Sequence, residues 1–119
     1  MTIREIANIL NARIVVDVEL DRQIKTGCGA DLMSDVLAFL KEDSVILTGL
    51  VNQHVIRTAE MIDVGCIVFV RGKPPTQDLI ELAKQRGIAI LTTKDSMFAA
   101  CGKLYQAGLS ACEGAVDDV

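Results

Sequence analysis

The sequence predicts a three-layer α/β domain, a mainly parallel sheet with flanking helices. Apolar runs at 45–47, 66–70 and 88–91 carry this prediction. Each run is continuously apolar rather than alternating, as strands covered on both faces require. A polar turn and a segment of helical spacing follow each run, which is the strand–turn–helix order of a parallel sheet. Half of the 119 residues are apolar but only 3% are aromatic, with no Trp, so aliphatic packing has to build one core.

Taken in order, Thr2 and Glu5 stand at capping-box spacing, and Ile3, Ile6, Ala7 and Leu10 repeat at helical intervals. They predict a short amphipathic helix reaching about Asn11. The run 13–18, with β-branched Ile14, Val15 and Val16, predicts a strand, and 19–23 a polar turn. Residues 25–31 are Gly-punctuated and extended, with Gly27 and Gly29 expected to serve a turn. Ser34 then reads as the cap of a short helix through Val36, Leu37 and Leu40.

After the strand at 45–47, a helix is expected over 53–62, with Val55, Ala59 and Ile62 inward and Gly65 beyond its end. The next begins after Pro74-Pro75 with Thr76 as cap. It buries Leu79, Ile80 and Ala83, carries Lys84 and Arg86 in its last turn and stops at Gly87. A last helix over 95–106 places Met97, Phe98, Cys101, Leu104 and Tyr105 on one stripe, ending at Gly108. The domain is expected to occupy 1–109, and 110–119 to form an acidic flexible tail.

The formal net charge of −4 speaks against nucleic acid, whose phosphates require clustered Lys and Arg. The N-terminus lacks the basic and apolar regions of a signal peptide, and no segment is apolar enough to span a membrane, so cytoplasm is expected. Cys28, Cys66, Cys101 and Cys112 show no CxxC spacing. With one His they predict neither a disulfide framework nor a structural zinc site, and no cofactor or metal is implied.

Ligands of open parallel sheets collect where strand ends meet helix starts, because unpaired N–H groups there favour anions. Three loops qualify, 48–54, 71–76 and 92–96, none spelling a Walker A loop or a GxGxxG fingerprint. Asn52, His54, Thr92 and Thr93 are their candidate ligand-binding residues. His54, with Arg57 one turn on, could flank an anion or simply cap and pack a helix start. Cys28, between two glycines, could present a thiol or merely sit in a turn. Asp31 and Asp35 could pair on Mg²⁺ or act as acid and base; their ordinary role is to favour a helix N-terminus. Asp21-Arg22 could be a solvated turn ion pair. No GxSxG elbow or defined nucleophile supports a hydrolytic triad.

The spacing of Asp21-Arg22, Thr26-Gly27 and the segment 31–37, together with the run 65–74, resembles the DRTGG domain family from about Thr2 to Gly108. Cys28 stands at the second glycine of that motif, with Gly29 one residue later. The resemblance implies an α/β accessory domain, found alone or attached to phosphate acetyltransferases and to pyrophosphatases with regulatory CBS domains. It is also similar to the N-terminal domain of the HPr kinase/phosphorylase family, whose chemistry resides in a separate P-loop domain. It adds Asp21, Arg22, Thr26, Gly27 and Gly29 to the candidate ligand-binding residues.

The expected function is therefore a non-catalytic regulatory domain, a homodimer that binds a small anionic ligand such as a nucleotide or phosphorylated metabolite, or modulates a metabolic enzyme. A protein-interaction or dimerisation module without small ligand is the alternative, suggested by a mean hydropathy of +0.37. A phosphoryl-transfer enzyme built on Asp31, Asp35 and His54 ranks third, because no phosphate cradle is present.

Overall fold

The computed structural model describes residues 1–112. Thr2 opens α1 (Ile3–Leu10) through a complete capping box, its hydroxyl accepting from Glu5 N while Glu5 returns a carboxylate to Thr2 N. The chain continues through β1 (Arg13–Val16), β2 (Thr26–Gly29), α2 (Met33–Phe39), β3 (Ser44–Thr48), α3 (Gln53–Met61), β4 (Cys66–Phe69), α4 (Gln77–Arg86), β5 (Ala89–Thr92), α5 (Met97–Gln106) and β6 (Ser110–Ala111). The strands form one sheet in the order β1-β5-β4-β3-β2-β6. Only β1 is antiparallel to its neighbour; β2 to β6 run parallel.

Successive residues of the central strands feed opposite faces, as the pleat demands. Ile46, Ile67 and Ile90 pack with Val36, Val55, Ile56 and Leu79 of α2, α3 and α4. Val45, Leu47, Val68 and Leu91 pack instead with Ile3, Ile6, Leu10, Ala100 and Leu104 of α1 and α5. This is the expected three-layer domain, with three helices on one face and two on the other. Each fully buried Ile, Leu or Val contributes about 1.5–3 kcal/mol, so the two faces, not any single anchor, hold the sheet. Among the described residues no helix is long and apolar enough to cross a membrane.

Several local expectations are corrected. The N-cap of α2 is Leu32, with no side-chain cap, and Ser34 falls inside the first turn. The chain leaves α3 through Ile62 and left-handed Asp63, not through Gly65. Gly27, Cys28 and Gly29 are not a turn but strand β2, and Cys28 is buried against the α2–α4 face. Of the apolar stripe expected to face inward on α5, Leu104 is buried whereas Phe98 and Tyr105 project into solvent. Ser110 and Ala111, expected to begin a tail, pair with Thr26 and Gly27 as β6, and Cys112 behind them is buried. The rest of that stretch, 113–119, lies outside the described residues.

Candidate functional site

The candidate residues taken from the sequence separate into three places. Asp21, Arg22 and Thr26 lie at the N-terminal ends of the parallel strands. Because β1 is antiparallel at one edge and β2 lies three strands away, residues 17–25 must cross beneath β5, β4 and β3. Arg22 fastens that strap. Its guanidinium donates to the carbonyl of Asp63 at 3.0 Å and to Asp43 Oδ1 at 3.3 Å, with Glu19 and the Asp63 carboxylate within 4.0 Å. Gly65 leaves the room for it, since a Cβ there would collide with the guanidinium. Asp21 pairs with Arg4 in the open, and the Thr26 hydroxyl bonds that of Ser44.

Gly27 and Gly29 occupy the middle of the sheet, facing α5. A Cβ on Gly27 would sit 2.9 Å from Leu109, and one on Gly29 2.5 Å from the Cys101 sulfur. Their role here is close approach: the sheet has no side chain where the segment 97–109 comes down on it. Cys101 is half-buried, and desolvation raises its thiol above the ordinary value.

Asn52, His54, Thr92 and Thr93 lie at the C-terminal ends, where the topology places a crevice. The loop after β4 leads to α4 on one face and the loop after β5 to α5 on the other, the divergence at which α/β sheets open. Here the loops are stitched together, Arg71 N donating to the Asp95 carbonyl at 2.7 Å and Gly72 N to that of Thr93 at 2.8 Å. Thr93 is buried and its hydroxyl donates to Leu10 O, so it ties α1 to this end. Thr92 is half-buried, and His54 is exposed on the first turn of α3. Asn52 accepts from His54 N, Thr76 from Leu79 N and Ser96 from Ala99 N. The starts of α3, α4 and α5 are thus already capped by their own side chains.

What the rim does offer is positive charge. Asp31, at the end of β2, accepts from Gly49 N at 2.8 Å and from the Thr48 hydroxyl at 3.1 Å, with Arg71 at 3.8 Å. The Gly49 hydrogen bond above all, with help from Thr48, Arg71 and Lys73, lowers its carboxyl below the usual value against the opposing cost of burial. Lys73 donates to Gly49 O at 3.1 Å, and the stem of Lys94 lies against Gly72. Arg71 and Lys73 therefore meet around Gly49 with Asp31 as the carboxylate they share, and Lys94 lies alongside at Gly72. Gly49 leaves room there for the Arg71 guanidinium, which a Cβ would displace. Arg71 and Lys73 were visible in the sequence only as members of a loop; nothing in their spacing marked them, since their partner Asp31 lies forty residues away. Among the described residues no three His, Cys, Asp or Glu side chains gather as a metal-binding group.

A groove of about 630 Å³ runs along α5, floored by Gly27, Gly29 and Leu47 and walled by Phe98, Cys101 and Tyr105. A smaller cleft of about 290 Å³ lies between α3 and α4, lined by charged residues including Arg57, Glu60 and Arg86.

Comparison with curated proteins gives no significant match. Among solved structures the chain is similar to the CBS and DRTGG domains of the regulatory region of Clostridium perfringens pyrophosphatase, described in complex with its activator, diadenosine tetraphosphate. The TM-score is 0.70 at 18% identity, over 99% of this chain and 55% of that one, so this chain spans about half the length of its structural neighbour. The fold is shared. Residues 5–107 match the DRTGG domain, and the chain belongs to the DRTGG domain family.

Proposed function

We propose that this chain is a non-catalytic regulatory domain whose strand-end rim binds a small anionic ligand, a nucleotide or phosphorylated metabolite, and thereby modulates a partner enzyme. The observation that carries this reading is the convergence of Arg71, Lys73 and Lys94 on one rim of a chain whose net charge is −4. A local excess of cations on an acidic protein draws phosphate groups selectively to that rim. Asp31 already models the chemistry: an oxyanion held by a backbone N–H, a hydroxyl and a guanidinium. The nucleotide activator of the pyrophosphatase regulatory region supports the ligand class. His54, Asn52 and Thr92 would border such a ligand. We place the protein in the cytoplasm as a homodimer.

The test is calorimetric titration with ATP and diadenosine tetraphosphate as probes, beside a thermal-shift screen of phosphorylated metabolites. Replacing both Arg71 and Lys73 by Met should weaken binding about tenfold or more, the scale of a lost hydrogen bond to a charged group. Binding that is indifferent to these substitutions would remove the rim as the site.

The second reading, an interaction module with no small ligand, is favoured by the exposed apolar groove along α5. It predicts a flat response to every probe.

A further inference from the structure

The α1/α5 face of the sheet has two helices where the opposite face has three. On this side α5 contacts β2 and β3, and α1 packs beside it. The groove of about 630 Å³ runs along α5, with Ser110 and Ala111 of β6 on its other side. Gly27 and Gly29 of β2 line its floor, close under Leu109 and Cys101, and its outer wall bears the two most exposed rings of the chain, Phe98 at 89% and Tyr105 at 70% exposure. Large exposed rings beside a groove are a projection and a recess on the same surface.

We infer that this groove is the seat of a second copy of the same chain, with Phe98 and Tyr105 of each copy entering the glycine-floored groove of the other. This deepens the homodimer reading above, on which it rests, by naming the surface. Three observations select a second copy over another partner. First, one two-fold operation satisfies both halves of the surface, because an isologous contact needs the projection and its recess on each chain.

Second, the charge fits. The groove lining holds no Asp, Glu, Lys or Arg, and α5 is the one described helix without a carboxylate, in a chain of net charge −4. A strongly basic or acidic partner finds nothing to pair with there, whereas two identical acidic chains meet without juxtaposing like charges. Third, the area suffices. Burying two rings of roughly 150–250 Å² each, at the exposures given, removes about 300 Å² per copy. That is a substantial part of the roughly 800 Å² per partner in a standard interface, and the groove's own floor and wall are buried with them. Exposed aromatic anchors closed over a recess are also the usual source of interface affinity.

The experiment is sedimentation velocity over a wide concentration range on the full chain, with Phe98→Glu and Tyr105→Glu. Both positions are exposed, so the circular dichroism of the folded variants should match the parent. Met61→Glu on α3, at a site 74% exposed and on the other face, is the control. The expected result is a parent dimer whose dissociation constant rises about thirtyfold or more in either α5 variant and is unchanged by Met61→Glu. A dimer equally tight in all four proteins would overturn this surface and leave the homodimer reading standing. A parent that stays monomeric at every soluble concentration would overturn both.

Discussion

The two ends of the parallel strands are built with opposite electrostatics. At the N-terminal end the Arg22 guanidinium is surrounded by Glu19, Asp43 and Asp63. At the C-terminal end Asp31 is shared by Arg71 and Lys73, with Lys94 alongside and Asp95 taken up by Lys103. The first arrangement saturates its cation and buries it, as a fastening should. The second leaves positive charge over, half-exposed and held on backbone that is itself left-handed at Arg71 and Gly72. The residues that name the family belong to the fastening or to the sheet, and the end with positive charge left over is the anonymous one.

The largest effect should come from removing the fastening. Arg22 is only 20% exposed and its bonds hold the strap to the starts of β3 and β4. Arg22→Met should lower stability by about 2 kcal/mol, the upper range for hydrogen bonds to charged groups, measured by urea denaturation. Gly65→Ala, by driving the guanidinium out, should reproduce most of that loss. The two substitutions together should then cost much less than their sum. Full additivity would mean that Gly65 serves something other than Arg22.

At the other end the same kind of substitution should leave stability nearly untouched. Arg71→Met removes a half-exposed pair worth less than about 1 kcal/mol, so its effect belongs in anion affinity. If it destabilises as Arg22→Met does, the two ends are alike and the contrast fails.

Smaller still is the effect of Asp31→Asn. The folded carboxyl titrates below its unfolded value, so its stabilisation is present above about pH 4 and is lost as pH falls through the folded value. The variant should be less stable at neutral pH by about 0.5 kcal/mol, solvent screening keeping this small, and the gap should close in acid. Its anion affinity should rise, because the carboxylate that competes for Arg71 is gone. A gap that stays constant with pH would show that the Asp31 charge does nothing for the fold.

Much of the fold was legible because its signals are local. Continuous apolar runs gave β3, β4 and β5; Thr76 and Gly87 bounded α4 as read; Thr2 and Glu5 formed their capping box. What failed depends on partners distant in sequence. Gly27 and Gly29 look like turn residues until α5 is seen lying on them, and Phe98 and Tyr105 look like core until α5 is seen to turn them to solvent. Asp31, Arg71 and Lys73 come together only because β2, β3 and β4 lie side by side. Asp21 and Arg22 were legible through the family motif, yet the motif does not say which end of the sheet they occupy.

The smallest change in the native protein is expected at Cys66, and it tests how tightly the fastened end is closed. The thiol opens β4 close to Arg22, whose positive charge alone would lower its pKa, but complete burial wins and pushes it up to about 12. At pH 8 the folded protein therefore holds almost no Cys66 thiolate, and iodoacetamide should reach this residue only through opening of the fold. Arg22→Met should leave the thiol buried in the native state yet speed its labelling by the same factor, about thirtyfold, by which it populates the open state. Mass spectrometry of labelled peptides against time would measure both rates. Labelling faster than unfolding in the parent would mean that the N-terminal end breathes locally, and that Arg22 is a surface contact rather than the fastening of the strap.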